Sequence, residues 1–143
     1  MRVHQHRVRY HETDAQGFMF NARFLELADV AMAELFRALG WTYDELVASG
    51  TDPSVVSAAL SFYSPARHDD IIDIAVTCTN VGRSSFALAF DLRRNDVGIA
   101  TIEIVYVNVD ASAAVSRPVP NAVAAALRAS MTTNPTPGQH EQD

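Results

Sequence analysis

Residues Val3 to Tyr10 alternate: His4, His6, Val8 and Tyr10 share one face of an extended chain, and Gln5, Arg7 and Arg9 the other. That two-residue period predicts a first, partly exposed strand. From Asn21 to Leu39 the period becomes helical. At about 100° per residue, Arg23, Glu26, Asp29, Glu34 and Arg37 fall on one arc. Phe24, Leu25, Leu27, Ala28, Ala31, Met32, Leu35, Phe36 and Leu39 fill the rest. The apolar face is wider than the ~100° stripe of an ordinary surface helix, so this helix needs to be wrapped, most simply by a curved sheet. Asn21 is the candidate N-cap and Gly40 the stop.

Trp41 to Gly50 reads as a short helix or turn, and strands follow. Val55 to Tyr63 is mostly apolar and ends at Ser64-Pro65. Ile72, Ile74, Val76 and Cys78 alternate with polar or small neighbours, as do Phe86, Leu88, Phe90 and Leu92. Asn80-Val81-Gly82 and Asn95-Asp96-Val97-Gly98 supply turns, and such short connections make neighbours antiparallel. Ile99 to Val109 is apolar on both faces, the pattern of a central strand covered on two sides. "NAVAAALRAS" predicts a terminal helix. The sum is an α+β domain over residues 1–130, one curved antiparallel sheet around one long helix. The polar stretch 131–143 is expected to be a disordered tail.

The 143 residues suit one domain. The net charge of -6 argues against nucleic acid, whose binding is dominated by Lys and Arg on phosphates. A single cysteine, Cys78, has no partner for an internal disulfide and reads as a small buried hydrophobe. No stretch reaches the ~18–20 apolar residues of a membrane span, and "MRVHQHRVRY" lacks a signal-peptide core. A soluble, cytoplasmic protein is expected. The five histidines have no metal spacing beyond His4/His6, and there is no GxSxG, Walker A or GxGxxG pattern. No metal and no cofactor are expected.

The candidate chemistry lies in "YHETDAQGFMFNARF", between the first strand and the long helix. Asp and Gly suit a solvated turn, and Asp14 would then only make an Asx-turn. Phe18, Met19 and Phe20 do not suit one. A carboxylate facing a helix N-terminus, where backbone N–H groups are free, has the parts for acyl transfer. The helix end would hold an oxyanion, and the carboxylate would attack or activate water. Glu12 is expected to be solvated or paired with an arginine, and His11 to be structural. Arg67 and Arg83, each at a loop or turn beside a strand, are candidates for phosphate contacts.

These residues resemble the hotdog-fold acyl-CoA thioesterases of the 4-hydroxybenzoyl-CoA thioesterase and YbgC type. The resemblance is carried by "RYHETDAQGFMFNARFLELAD", "SFYSPARHDDIIDI", "VGRSSFALAF" and "RPVP", and covers Arg2 to about Leu127. It implies thioester hydrolysis with Asp14 as nucleophile or general base. It also implies an oxyanion site at the N–H groups of Phe20, Asn21 and Ala22. Gly17, Phe18, Phe20, Arg67 and Arg83 become substrate-binding candidates, with coenzyme A as part of the substrate. It implies a homo-oligomer, a dimer or a dimer of dimers (homotetramer). One departure stands out: YbgC-like members carry a histidine where this chain has Asn21, and an asparagine orients water or donates a hydrogen bond but shuttles no proton. The alternatives are a pathway-specific thioesterase for polyketide or aromatic acyl chains on an acyl-carrier protein, and a non-catalytic acyl-CoA-binding protein.

Overall fold

The computed structural model describes residues 1–133. Its elements are β1 (Arg2–Arg7), a 3-10 turn (Tyr10–Glu12), α1 (Arg23–Leu39), α2 (Tyr43–Ala48), β2 (Pro53–Phe62), β3 (Ile71–Val81), β4 (Ser85–Arg94), β5 (Val97–Asp110), β6 (Val115–Ser116) and α3 (Asn121–Thr133). The strands form one antiparallel sheet in the order β1-β3-β4-β5-β2, with β6 paired to β5. Of the tail expected over 131–143, residues 134–143 lie outside the described residues. Met131 to Thr133 instead form the last turn of α3, and Met131 packs against the core.

Alternation places the core. Ile72, Ile74, Val76 and Cys78 on β3 are buried, as are Phe86, Leu88, Phe90 and Leu92 on β4. The register sets Ile74 beside Leu92, Val76 beside Phe90 and Cys78 beside Leu88, so both sets face the same side. Burial pushes the Cys78 thiol up. β5 is central, between β4 and β2. It is not covered on both faces, however: Ile102, Ile104 and Tyr106 point inward while Glu103 and Val105 are exposed. The apolar run that predicted two-sided cover serves one core and one open face.

α1 buries Phe24, Leu27, Ala28, Ala31, Met32, Leu35 and Phe36, the spacing of one helical face. Each fully buried Leu or Phe contributes roughly 1.5–3 kcal/mol. Leu25 and Val30 point away and are exposed, so the buried face is narrower than the sequence arc. Phe36 meets Phe86 edge-on at 5.8 Å, and Phe86 stacks on Tyr106 at 5.1 Å, tying α1 to β4 and β5. Phe36→Ala would cost about 3–5 kcal/mol. Gly40 ends the helix at φ 112°, its N–H bonded to the Phe36 and Arg37 carbonyls. Asn21 does not cap the start: the flanking residue is Ala22, with no side-chain cap. Among the described residues no helix is long and apolar enough to cross a membrane.

Candidate active site

β1 does not run on to Tyr10. It stops at Arg7, and the chain turns through Tyr10–Glu12 into a short hairpin. The Phe20 N–H donates to the Glu12 carbonyl at 2.8 Å, and the Asp14 N–H donates to the Phe18 carbonyl at 2.8 Å. Thr13 and Met19 are bridged between them. The tip closes with the Gly17 N–H on the Asp14 carbonyl at 2.9 Å, and Gly17 sits at φ 79°, where glycine is favoured. The Met19 N–H donates to the Ala66 carbonyl at 2.7 Å, which docks the hairpin on the segment after β2.

The Asx-turn is present, and it occupies one carboxylate oxygen. Asp14 Oδ1 accepts the N–H groups of Gln16 at 2.8 Å and Phe18 at 3.3 Å. Oδ2 has no hydrogen bond among the described residues. Aspartate therefore fits both roles: one oxygen fixes the turn and the other is left for chemistry. Glu12, expected to be solvated or paired with an arginine, is instead buried. Its Oε1 lies 2.8 Å from His6 Nε2 and accepts the Arg9 N–H at 2.6 Å. Burial pushes its pKa up, but the Arg9 N–H and the His6 contact outweigh burial and hold the carboxyl below its ordinary value. His11 is exposed.

At the helix entry the Arg23 N–H donates to Phe20 and the Phe24 N–H to Asn21. Phe20, expected as an oxyanion donor, has its N–H bound to Glu12. The N–H groups of Asn21 and Ala22 have no acceptor among the described residues. A cavity of about 410 Å³ lies against this entry. Its walls are Asp14, Gln16, Phe18 and Met19 from the hairpin, Asn21 and Phe24 from the helix entry, and Phe62 to Ala66 from the end of β2. Phe24 and Phe62 meet edge-on at 5.1 Å. Asp14 and Asn21 thus line the same cavity.

The expected substrate residues divide. Phe18 lines the cavity, and the Arg67 guanidinium lies 4.8 Å over its ring. Gly17 shapes the turn without lining the cavity, and Phe20 is half exposed outside it. Arg83 is not at this end at all. It follows β3, whereas Arg67 precedes it, and a strand of that length at ~3.3 Å per residue separates them by roughly 30 Å within one protomer. Sequence reasoning missed Gln16, Tyr63 and Ser64. Gln16 had a local signal, its place inside the Asx-turn. Tyr63 and Ser64 had none, because their approach depends on how the end of β2 meets the hairpin. Ser64 Oγ donates to the Gly98 carbonyl at 2.9 Å and the Tyr63 hydroxyl bonds to Thr101 at 3.0 Å. Among the described residues no group of three or more His, Cys, Asp or Glu could hold a metal ion.

Residues 8–127 match the family described as the Thioesterase-like superfamily, and the chain belongs to that family. The acyl-CoA thioesterase YbgC of Haemophilus influenzae is 28% identical over 105 residues, 71% of this chain and 77% of that protein. The acyl-CoA thioester hydrolase YbgC of Escherichia coli is 29% identical over 79 residues, 55% of this chain and 59% of that protein. Among solved structures, the gentisyl-coenzyme A thioesterase BH1999 superposes with a TM-score of 0.80 at 25% identity, over 88% of this chain and 99% of that one. The fold is the hotdog fold, and the chain is a thioester hydrolase of the Thioesterase-like superfamily, similar to the YbgC proteins.

Proposed function

We propose that the chain hydrolyses acyl-CoA thioesters, with Asp14 as nucleophile or general base and the N–H groups of Asn21 and Ala22 as the oxyanion site. The observation that carries this reading is that Asp14, with an unbonded carboxylate oxygen, and Asn21, with a free backbone N–H followed by that of Ala22, line one cavity. As a nucleophile, Asp14 Oδ2 adds to the thioester carbon. The C–S bond breaks, the thiolate leaves, and water hydrolyses the mixed anhydride. As a general base, Oδ2 takes a proton from water while the water oxygen adds to the carbon. The C–S bond then breaks and the sulfur takes the proton. In both routes negative charge grows on the carbonyl oxygen, where preorganised donors are each worth about 10²–10³ in kcat. Asn21 orients water or donates to the oxyanion, and needs to move no proton.

Four rings, Phe18, Phe24, Phe62 and Tyr63, line the cavity and favour a flat, aromatic acyl group. The gentisyl-coenzyme A activity in the name of BH1999 agrees with that preference. A carrier-protein thioester presents the same reacting group and remains the alternative donor. The protein acts as a homo-oligomer, a dimer or a dimer of dimers, because β2 is an exposed edge strand. Release of free thiol from a panel of acyl-CoAs tests the reading. Turnover by the native protein and none by Asp14→Asn is the expected result. A native protein that binds acyl-CoA without releasing thiol is a binding protein, and the reading is then wrong.

A further inference from the structure

Among the described residues the carboxylate–base contact with the least exposed side chains is His6–Glu12, at 16% and 11%. The chemistry above gives it no task, although it sits at the base of the hairpin that carries Asp14. We propose that Glu12 is a positioning residue, whose carboxylate aligns Asp14 and the Asn21 and Ala22 N–H groups on one reacting carbonyl. This rests on the proposed thioesterase reading of that site.

Glu12 holds the site from two directions. Its side chain grips what comes before: His6 Nε2 on β1 at 2.8 Å and the Arg9 N–H of the 3-10 turn at 2.6 Å. Its backbone carbonyl grips what comes after, the Phe20 N–H at 2.8 Å. Asp14 follows Glu12 by two residues, and Asn21 follows Phe20 directly. A shift of Glu12 relative to β1 therefore displaces the carboxylate and the donors, through both strands of the hairpin, relative to the Phe62–Ala66 side of the cavity against which a substrate would lie. Beyond the hairpin base, the returning strand is anchored by the pairing of Phe18 and Met19 with Ala66 and Arg67. The surrounding titratable or charged side chains are Arg9 before the turn, His11 on it, and His4, whose ring stacks 6.5 Å from His6. None of them lines the cavity. A displacement of about 1 Å at a reacting group can cost on the order of 100-fold in rate, so an anchor outside the cavity can govern kcat.

A residue that only folds the turn would change stability, whereas a positioning residue changes kcat. Steady-state hydrolysis of an acyl-CoA thioester is measured for the native protein, Asp14→Asn, Glu12→Ala, Glu12→Gln and His6→Asn, with thermal melting of each. Glu12→Ala is expected to lose about 10- to 100-fold in kcat with KM within about threefold. Glu12→Gln keeps an oxygen for both donors and is expected within about fivefold of native kcat. His6→Asn is too short to reach Glu12 and is expected to lose about three- to tenfold. Native kcat in Glu12→Ala overturns the proposal, as does a Glu12→Gln protein as slow as Glu12→Ala. If Glu12→Ala does not fold, His6→Asn decides, and native kcat there overturns it. An inactive native protein, or an active Asp14→Asn, overturns the thioesterase reading and this proposal together. An active native protein with an inactive Asp14→Asn and an unaffected Glu12→Ala overturns the positioning role alone.

Discussion

β1 closes one edge of the sheet with six residues, and β2 closes the other with ten. On β1 the outward side chains are charged or polar and already bonded: Arg2 and Gln5 to Asp73, and Arg7 to the Asp69 carbonyl. On β2 there is no charge from Pro53 to Phe62, and Val55, Val56 and Phe62 are exposed. Short, charged edges resist pairing and long, apolar ones invite it. The first edge, also unpaired along its outer backbone, has its outward side chains bonded within the protomer and contacts the base of the hairpin through His6. The second supplies the opposite wall of the cavity through Phe62 and its neighbours, and leaves its own backbone unpaired. The contrast sets the Asp14 hairpin against the polar edge through His6 and Glu12, and the Phe62 side of the cavity against the apolar one.

The largest effect expected on the polar side is that of Asp14→Asn. The amide keeps an oxygen for the Gln16 and Phe18 N–H groups, so the turn and the melting temperature survive. The carboxylate is gone, and kcat should fall by about 10²–10⁴. A folded Asp14→Asn with native kcat would remove the aspartate from the chemistry.

The next effect separates the two ends of β3. Arg67 stands over Phe18 at the cavity, whereas Arg83 lies at the far turn with its carbonyl accepting the Val119 N–H at 2.9 Å. If Arg67 contacts a coenzyme A phosphate, Arg67→Ala should raise KM about 10- to 100-fold with little change in kcat. A charge-assisted hydrogen bond is worth ~1.5–3 kcal/mol and acts equally on ground and transition states. Arg83→Ala should do the same only where a neighbouring subunit brings it to the cavity. KM for several acyl-CoAs, with a short thioester lacking the nucleotide as control, checks both. An unchanged KM in both variants would place the nucleotide elsewhere or favour a carrier-protein thioester.

What was legible in the sequence follows the same division. The alternation of Ile72 to Cys78 and Phe86 to Leu92, the helical period of α1 and the stop at Gly40 are local signals, and they located the core. The turn at Asp14 and Gly17, and its apolar neighbour Phe18, were legible because turn chemistry and apolar content conflict within a few residues. The His6–Glu12 contact was not, since His6 lies in a different element and only the fold brings the two to 2.8 Å. The separation of Arg67 from Arg83 was equally hidden: both stand next to β3, and only strand length and direction put them at opposite ends. The open face of β5 was misread because an apolar run records what a strand tolerates, not how many layers cover it.

Matched lysines test the edges themselves. Val56→Lys places a charge on β2, where an assembly would bury it, and Gln5→Lys places one on β1, where solvent already reaches. Sedimentation should show Val56→Lys shifted toward monomer, with a melting loss corresponding to about 1–3 kcal/mol. Gln5→Lys should change stability by no more than about 0.5 kcal/mol. Unchanged assembly and melting in Val56→Lys would mean that the β2 edge stays bare in solution.

The smallest effect is a pH dependence at the anchored edge. Glu12 is held below its ordinary value of 4.5, because the Arg9 N–H and His6 outweigh burial, which alone would raise it. A depressed carboxylate contributes stability that is fully present above its unfolded pKa and is lost as pH falls through its folded one. Glu12→Gln has no such term. The native protein should therefore melt above Glu12→Gln near neutral pH, and the gap should close as pH falls below about 4.5. Thermal melts of the two proteins at matched ionic strength between neutral and acid pH measure that gap. A gap that opens on acidification would carry the opposite sign: burial would then dominate, and the two bonds to Glu12 would be weaker in solution than their 2.6 and 2.8 Å lengths indicate.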